Sequence, residues 1–233
     1  MMLRKIALIF LLIFGFSLSL MAQRSLPKNI PGFDKKVFRF GYSIGINWMG
    51  FTLDPTSRES FQLDVQQHPG INVNLITSLN LAKYLDLRVT PGIQFSQRDL
   101  KVLRKGENEE LWDAKVESVY FELPVLLKYR AERVNNFAPF LIAGVAPKFD
   151  LTGGELENWK PVNRLVKSFD LFPELGVGID FYTQKVKVAT ELKFSVGVLN
   201  VFRSFEDDPG YELFNGGVDR LMSKMVILSV QIQ

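Results

Sequence analysis

The sequence predicts an all-β protein, an eight-stranded antiparallel β-barrel that crosses an outer membrane. Three observations predict it: repeated period-two alternation of apolar residues, connections that are alternately short and long, and an N-terminal segment of the secretory kind. Residues 1–22 place Arg4 and Lys5 before the apolar run 6–16 and end on Ala22. That run is shorter than the roughly 20 apolar residues a spanning helix needs, so 1–22 reads as a signal peptide cut after Ala22. The chain of 233 residues is 47% hydrophobic, with 28 Lys plus Arg, 25 Asp plus Glu, one His and no Cys. Losing Arg4 and Lys5 leaves a balance of +1, so nucleic acid is not expected as a partner. The missing Cys excludes disulfides, thiol catalysis and Cys-bearing metal sites.

Residues 23–37 carry Pro27, Pro31 and Gly32 and read as an extended periplasmic leader before a barrel at 38–233. The first strand sets Phe38, Phe40, Tyr42, Ile44, Ile46 and Trp48 against small or polar residues. The second, 71–81, and the third, 85–95, are separated only by 82–84 and form a hairpin. Residues 119–129 make the fourth strand. The fifth, 137–151, is apolar on both faces and its phase is open. The sixth, 169–181, the seventh, 187–198, and the eighth, 224–233, alternate cleanly. Connections 82–84, 131–136 and 182–185 are short, whereas 51–69, 99–115, 152–167 and 200–223 are long and polar. This is the pattern of periplasmic turns and extracellular loops. Tyr84, Tyr129 and Tyr182 beside the short turns suggest an aromatic belt at one interface. Alternation does not say which face points inward, so a secreted lipocalin-like ligand-binding barrel stays open as an alternative.

The less greasy face carries Arg39, Asp86, Arg88, Glu122, Lys128, Glu174, Asp180, Glu191 and Lys193, joined by Asp170 and Lys187. Their charges nearly cancel. In an eight-stranded barrel, whose interior side chains about fill, they are expected to pair as a lumen network that leaves no conducting pore. His68, in the first long connection near Ser57, Ser60 and Asp64, is the one candidate general base for a small lipid-modifying enzyme, but no nucleophile motif accompanies it. Gly153-Gly154 and Gly216-Gly217 lack a following Lys and Ser or Thr and read as turn formers. No cofactor, metal or small-molecule substrate is expected. Candidate partner contacts are the aromatics Phe202, Phe205, Tyr211 and Phe214 of the last long connection, and Arg130 and Arg133 of the charged turn.

The run Phe121-Glu122-Leu123-Pro124-Val125-Leu126-Leu127-Lys128-Tyr129-Arg130-Ala131-Glu132-Arg133-Val134-Asn135-Asn136, followed by Pro139-Phe140-Leu141-Ile142-Ala143-Gly144 and Phe149-Asp150-Leu151, resembles the PorT (SprT) family of Bacteroidetes. The likeness extends through 87–92, 176–182, 191–195 and 223–226. It implies a non-enzymatic outer-membrane barrel needed for type IX protein secretion and, in gliding species, for motility. Its partners would be outer-membrane lipid and other components of that machinery. The family brings no catalytic residues.

Overall fold

The computed structural model describes residues 27–55, 61–104, 110–152, 167–201 and 218–233. The strands are β1 (Phe38–Pro55), β2 (Phe61–Gln67), β3 (Pro69–Ala82), β4 (Leu85–Val89), β5 (Gly92–Arg104), β6 (Glu110–Glu122), β7 (Val125–Arg130), β8 (Phe137–Asp150), β9 (Phe169–Tyr182), β10 (Lys187–Val196) and β11 (Val218–Ile232). All lie in one antiparallel sheet. Eleven segments make eight crossings, because three crossings are each interrupted once. Thr90-Pro91 divides β4 from β5 and Leu123-Pro124 divides β6 from β7, since proline has no N–H to give the ladder. Neighbours bridge the breaks: the Thr90 amide donates to the Pro124 carbonyl at 3.0 Å and the Leu123 amide to the Pro147 carbonyl at 3.0 Å. The third break, between β2 and β3, is His68.

The sheet closes on itself. β1 pairs with β11 from Tyr42↔Ile232 to Asp54↔Arg220, and with β3 on its other side. Each crossing thus has two neighbours and the sheet forms a closed ring, with one-sided pairing confined to extensions such as β2, which pairs with β5 alone; closure is the condition for strands in lipid, where an unpaired backbone group costs several kcal/mol.

The greasy positions point outward. Phe40 is 68% exposed and Leu75 66%, whereas Arg88 is 1% and Glu122 0% exposed. A lipocalin-like barrel would reverse this, so the outward band answers the question left open by alternation. Aromatic rings mark both ends of that band. Phe137 packs edge-on against Phe181 near the short turns, and twelve residues further along β8 Phe149 packs against Phe169. Twelve residues at ~3.3 Å each, tilted ~40°, separate the two rings by about 30 Å along the barrel axis, close to the hydrocarbon thickness.

Two sequence expectations change. Much of the connections 51–69 and 99–115 and the end of 200–223 is strand: β1 runs to Pro55, β2 begins at Phe61, Asp99↔Lys115 continues through Leu100↔Ala114 and Lys101↔Asp113, and β11 begins at Val218. These pairs stand beyond the lipid-facing band, where neither face need be greasy, so their polarity reads as loop. Phe33–Lys35 forms one 3-10 turn after Gly32, whose φ is 83°, so this part of the leader bends where an extended segment was expected.

Candidate functional site

The barrel wall sets every interior side chain by parity. Even-numbered residues of β3 to β9 and odd-numbered residues of β1, β10 and β11 face inward, and all nine expected lumen charges are buried. Arg39 on β1 pairs with Asp86 on β4. Across the barrel, Arg88 Nη2 donates to Glu191 Oε2 at 2.5 Å and its Nη1 to Gln231 at 2.8 Å. Lys128 Nζ sits 2.7 Å from Asp180 Oδ1, with Lys187 3.8 Å from the other oxygen. Lys193 Nζ lies 2.9 Å from Glu174 Oε2.

Sequence reasoning missed the residue that ties Glu122 to the Lys193–Glu174 pair. Lys148, fully buried, places Nζ 2.6 Å from Glu122 and 3.7 Å from Glu174, and donates to Gln94 at 2.9 Å. Its side could not be read while the phase of the fifth strand was open, although Lys148 and Asp150 are the two charges on β8 and share one parity. That parity is the inward one. Arg98 was also missed, because it stands just before the stretch taken for loop. It is buried over the Phe51 ring at 4.1 Å and donates to Ser118 and Tyr120.

Apolar groups fill the space between the charges. Met49, Tyr120, Ala146, Phe172, Met225 and Ile227 form one interior cluster, and Leu126, Phe140, Ile142 and Ala189 another. The Phe140 ring, 3.5 Å from Lys128 Nζ, occupies the space a Cβ on Gly178 would need. Opposite charges and rings thus meet across the cross-section, an arrangement suited to bracing the wall.

The short-turn end is closed by the leader. Arg130 ends β7 on the inward parity, is 4% exposed, and ion-pairs with Asp34. Tyr182 Oη donates to the same Asp34 carboxylate at 2.7 Å, and Phe33 packs edge-on against the Tyr182 ring. Arg133 lies over that ring at 3.8 Å and donates to the Asn29 carbonyl and to Asn136 Oδ1, both at 2.6 Å. Asn135, at φ 54°, takes the left-handed turn position that Asn tolerates. Arg130 and Arg133 therefore hold the chain's own leader. Tyr182 leaves the expected interface belt: Phe181 takes the outward position, so the next residue faces in.

His68 is not in a loop. Between Gln67↔Arg98 and Ile71↔Phe95 the β2–β3 side has one residue more than β5, so His68 is the extra residue of a β-bulge. Its Nε2 lies 2.8 Å from Asp99 Oδ2. Ser57 and Ser60, Gly153-Gly154 and Gly216-Gly217, and the aromatics Phe202, Phe205, Tyr211 and Phe214 lie outside the described residues. Among the described residues no three His, Asp or Glu side chains are grouped to hold a metal ion.

Comparison with known proteins follows this geometry. No curated protein matches the chain. Solved structures similar to it include the outer membrane protein OprG from Pseudomonas aeruginosa, at 13% identity and a TM-score of 0.42, covering 84% of this chain and 90% of that one. Neisserial surface protein A matches at 9% identity and a TM-score of 0.40, covering 84% and 99%. The N-terminal β-barrel domain of Pseudomonas aeruginosa OprF matches at 12% identity and a TM-score of 0.37, covering 83% and 98%. No residue role is transferred from any of them. The model of the family described as outer membrane protein beta-barrel domain matches residues 21–203, well over half of the sequence, and the chain belongs to that family as a barrel of the outer membrane.

Proposed function

We propose that this barrel is a non-enzymatic component of the type IX protein secretion machinery, with an accessory or assembly role in cargo export and, in gliding species, in motility. The observation that carries the reading is the run 121–136, on which the resemblance to the PorT family is most specific. The same run supplies Glu122 and Lys128 to the interior and Arg130 and Arg133 to the leader. A side-chain-filled lumen supports work through surfaces in preference to conduction. In this reading residues 1–22 direct export as a signal peptide, the wall contacts outer-membrane lipid, and Phe202, Phe205, Tyr211 and Phe214 contact other secretion components.

The test is a strain lacking the chain, complemented with wild type, with Phe205→Ser/Tyr211→Ser/Phe214→Ser, or with His68→Ala. Cargo in the culture medium is measured beside barrel insertion, read by heat-modifiable migration. Wild type and His68→Ala restore export, while the triple variant inserts and exports poorly. Full export without the chain overturns the secretion role. Loss of a lipid modification in the His68→Ala strain favours an enzyme.

A further inference from the structure

Between the leader and two short turns lies a cleft of about 520 Å³ that the function above does not use. Lys28 and Lys35 of the leader, Lys83 of the β3–β4 turn, Arg130 at the end of β7 and Arg133 of the turn after it line the cleft, opposed by Asp34 and Glu132. Asp34 is already engaged by Arg130 and Tyr182. Among the described residues no carboxylate lies within ion-pair distance of Lys28, Lys35 or Lys83, and although Glu132 attracts Lys83 from further off, the cleft presents an excess of positive charge to solvent. The volume falls within the ~300–1,000 Å³ usual for a bound ligand. A Cβ built on Gly32, on the same wall, meets nothing within 4 Å, so the leader backbone is open to an incoming chain.

We propose that this cleft binds an acidic peptide segment of a periplasmic partner. The direction in which it opens favours a peptide over a lipid headgroup. Arg130 lies on the inward parity of the wall, and the leader runs from Arg130 and Tyr182 to Asn80, whose Nδ2 donates to the Asp34 carbonyl at 2.8 Å. The cleft therefore faces the barrel mouth, while the lipid side of the same rim carries Tyr129 and Phe137. An extended acidic chain laid beside the leader would place carboxylates against three lysines and find open backbone at Gly32. The site does not depend on which machinery the barrel serves.

The test uses the purified full barrel in phosphatidylcholine nanodiscs and a fluorescent Glu-rich decapeptide, followed by anisotropy. The decapeptide should bind at least tenfold more tightly than its Gln counterpart, and binding should weaken at high salt, because exposed charges are screened beyond about 8 Å at 0.15 M. Lys35→Glu/Lys83→Glu should cut affinity at least tenfold with heat-modifiable migration unchanged. Lys83→Gln gives a smaller loss in the same direction and serves if the double variant fails to fold. Equal binding of the Gln peptide, or unchanged affinity in the folded variants, overturns the site. Competition by inorganic phosphate at the peptide's own concentration assigns the cleft to phosphate-type anions and overturns the peptide reading.

Discussion

Replacing Lys148 by Met keeps the length of the side chain and removes one buried charge from the lumen. In the wild type Nζ lies 2.6 Å from Glu122 Oε2 and 3.7 Å from Glu174 Oε1. At an effective dielectric of ~20, the attraction across 2.6 Å is about 6 kcal/mol before desolvation is subtracted. Glu174 retains Lys193 at 2.9 Å and Ser195 at 3.2 Å. Glu122 retains the Asn74 Nδ2 donor at 2.5 Å and the more distant charge of Lys193, but loses the one cation in ion-pair contact with it among the described residues. Stranding one partner of a buried pair costs about 3–5 kcal/mol, a 10²- to 10³-fold or larger shift in the unfolding equilibrium at ~1.4 kcal/mol per decade. Urea unfolding of the refolded barrel in lipid vesicles, followed by heat-modifiable migration and Trp fluorescence, measures it. Removing both charges with Glu122→Gln/Lys148→Met should cost less than Lys148→Met alone, because no charge is then stranded. A loss under about 1 kcal/mol for Lys148→Met, or a double variant whose cost is the sum of the singles, would refute the reasoning.

Two further outcomes follow from the same packing. Arg130→Ala removes the cation that holds Asp34, so trypsin should cut after Lys35 or Lys36 faster than in wild type while heat-modifiable migration persists; unchanged cleavage would show that Phe33 and Asn29 hold the leader without it. Gly178→Val drives a side chain into the Phe140 ring and should cost about 1–3 kcal/mol by overpacking, and a companion Phe140→Leu exchange should recover part of the loss.

The lipid-facing part of each strand was legible because the membrane demands it. Every outward residue in the hydrocarbon must be apolar, and the short β turnover between Leu81 and Leu85 fixes which strands are neighbours. Above the membrane that demand lapses. Asp99, Lys101 and Lys115 pair as strand while reading as loop, since solvent surrounds the outer face there. The phase of β8 was hidden by the opposite cause. Ala138, Phe140, Ile142 and Ala146 are apolar and still face inward, where they pack against rings and aliphatic stems, so hydropathy does not separate the two faces. Arg130 and Tyr182 looked like rim residues because sequence shows the end of a strand but not what lies across it. Their partners, Asp34 and Phe33, are 96 or more residues away along the chain.

A charged interior also answers a problem that lipid creates. Water drives the apolar face of a soluble barrel inward, but hydrocarbon is as apolar as leucine and gives apolar side chains no comparable reason to prefer the lumen. A barrel with two greasy faces could slip in register or turn a strand over at little cost. Placing Arg88, Lys128, Lys148, Glu174 and Asp180 on one parity removes that freedom, since a one-residue slip exposes a charge to lipid at roughly 2–4 kcal/mol per cation near the midplane. The partners are also spread around the ring. Arg88 on β4 meets Glu191 on β10 and Gln231 on β11, and Asn47 on β1 donates to the Phe95 carbonyl on β5. The Arg88 contacts cross the lumen, so they form only when the sheet has curled far enough to bring distant walls together, whereas Asn47 reaches over Gly70 of the strand between. The Arg88 contacts therefore reward closure itself, Lys148–Glu122 and Lys193–Glu174 tie neighbouring crossings, and Asp34 with Arg130 and Tyr182 carries the network on to the leader at the short-turn end.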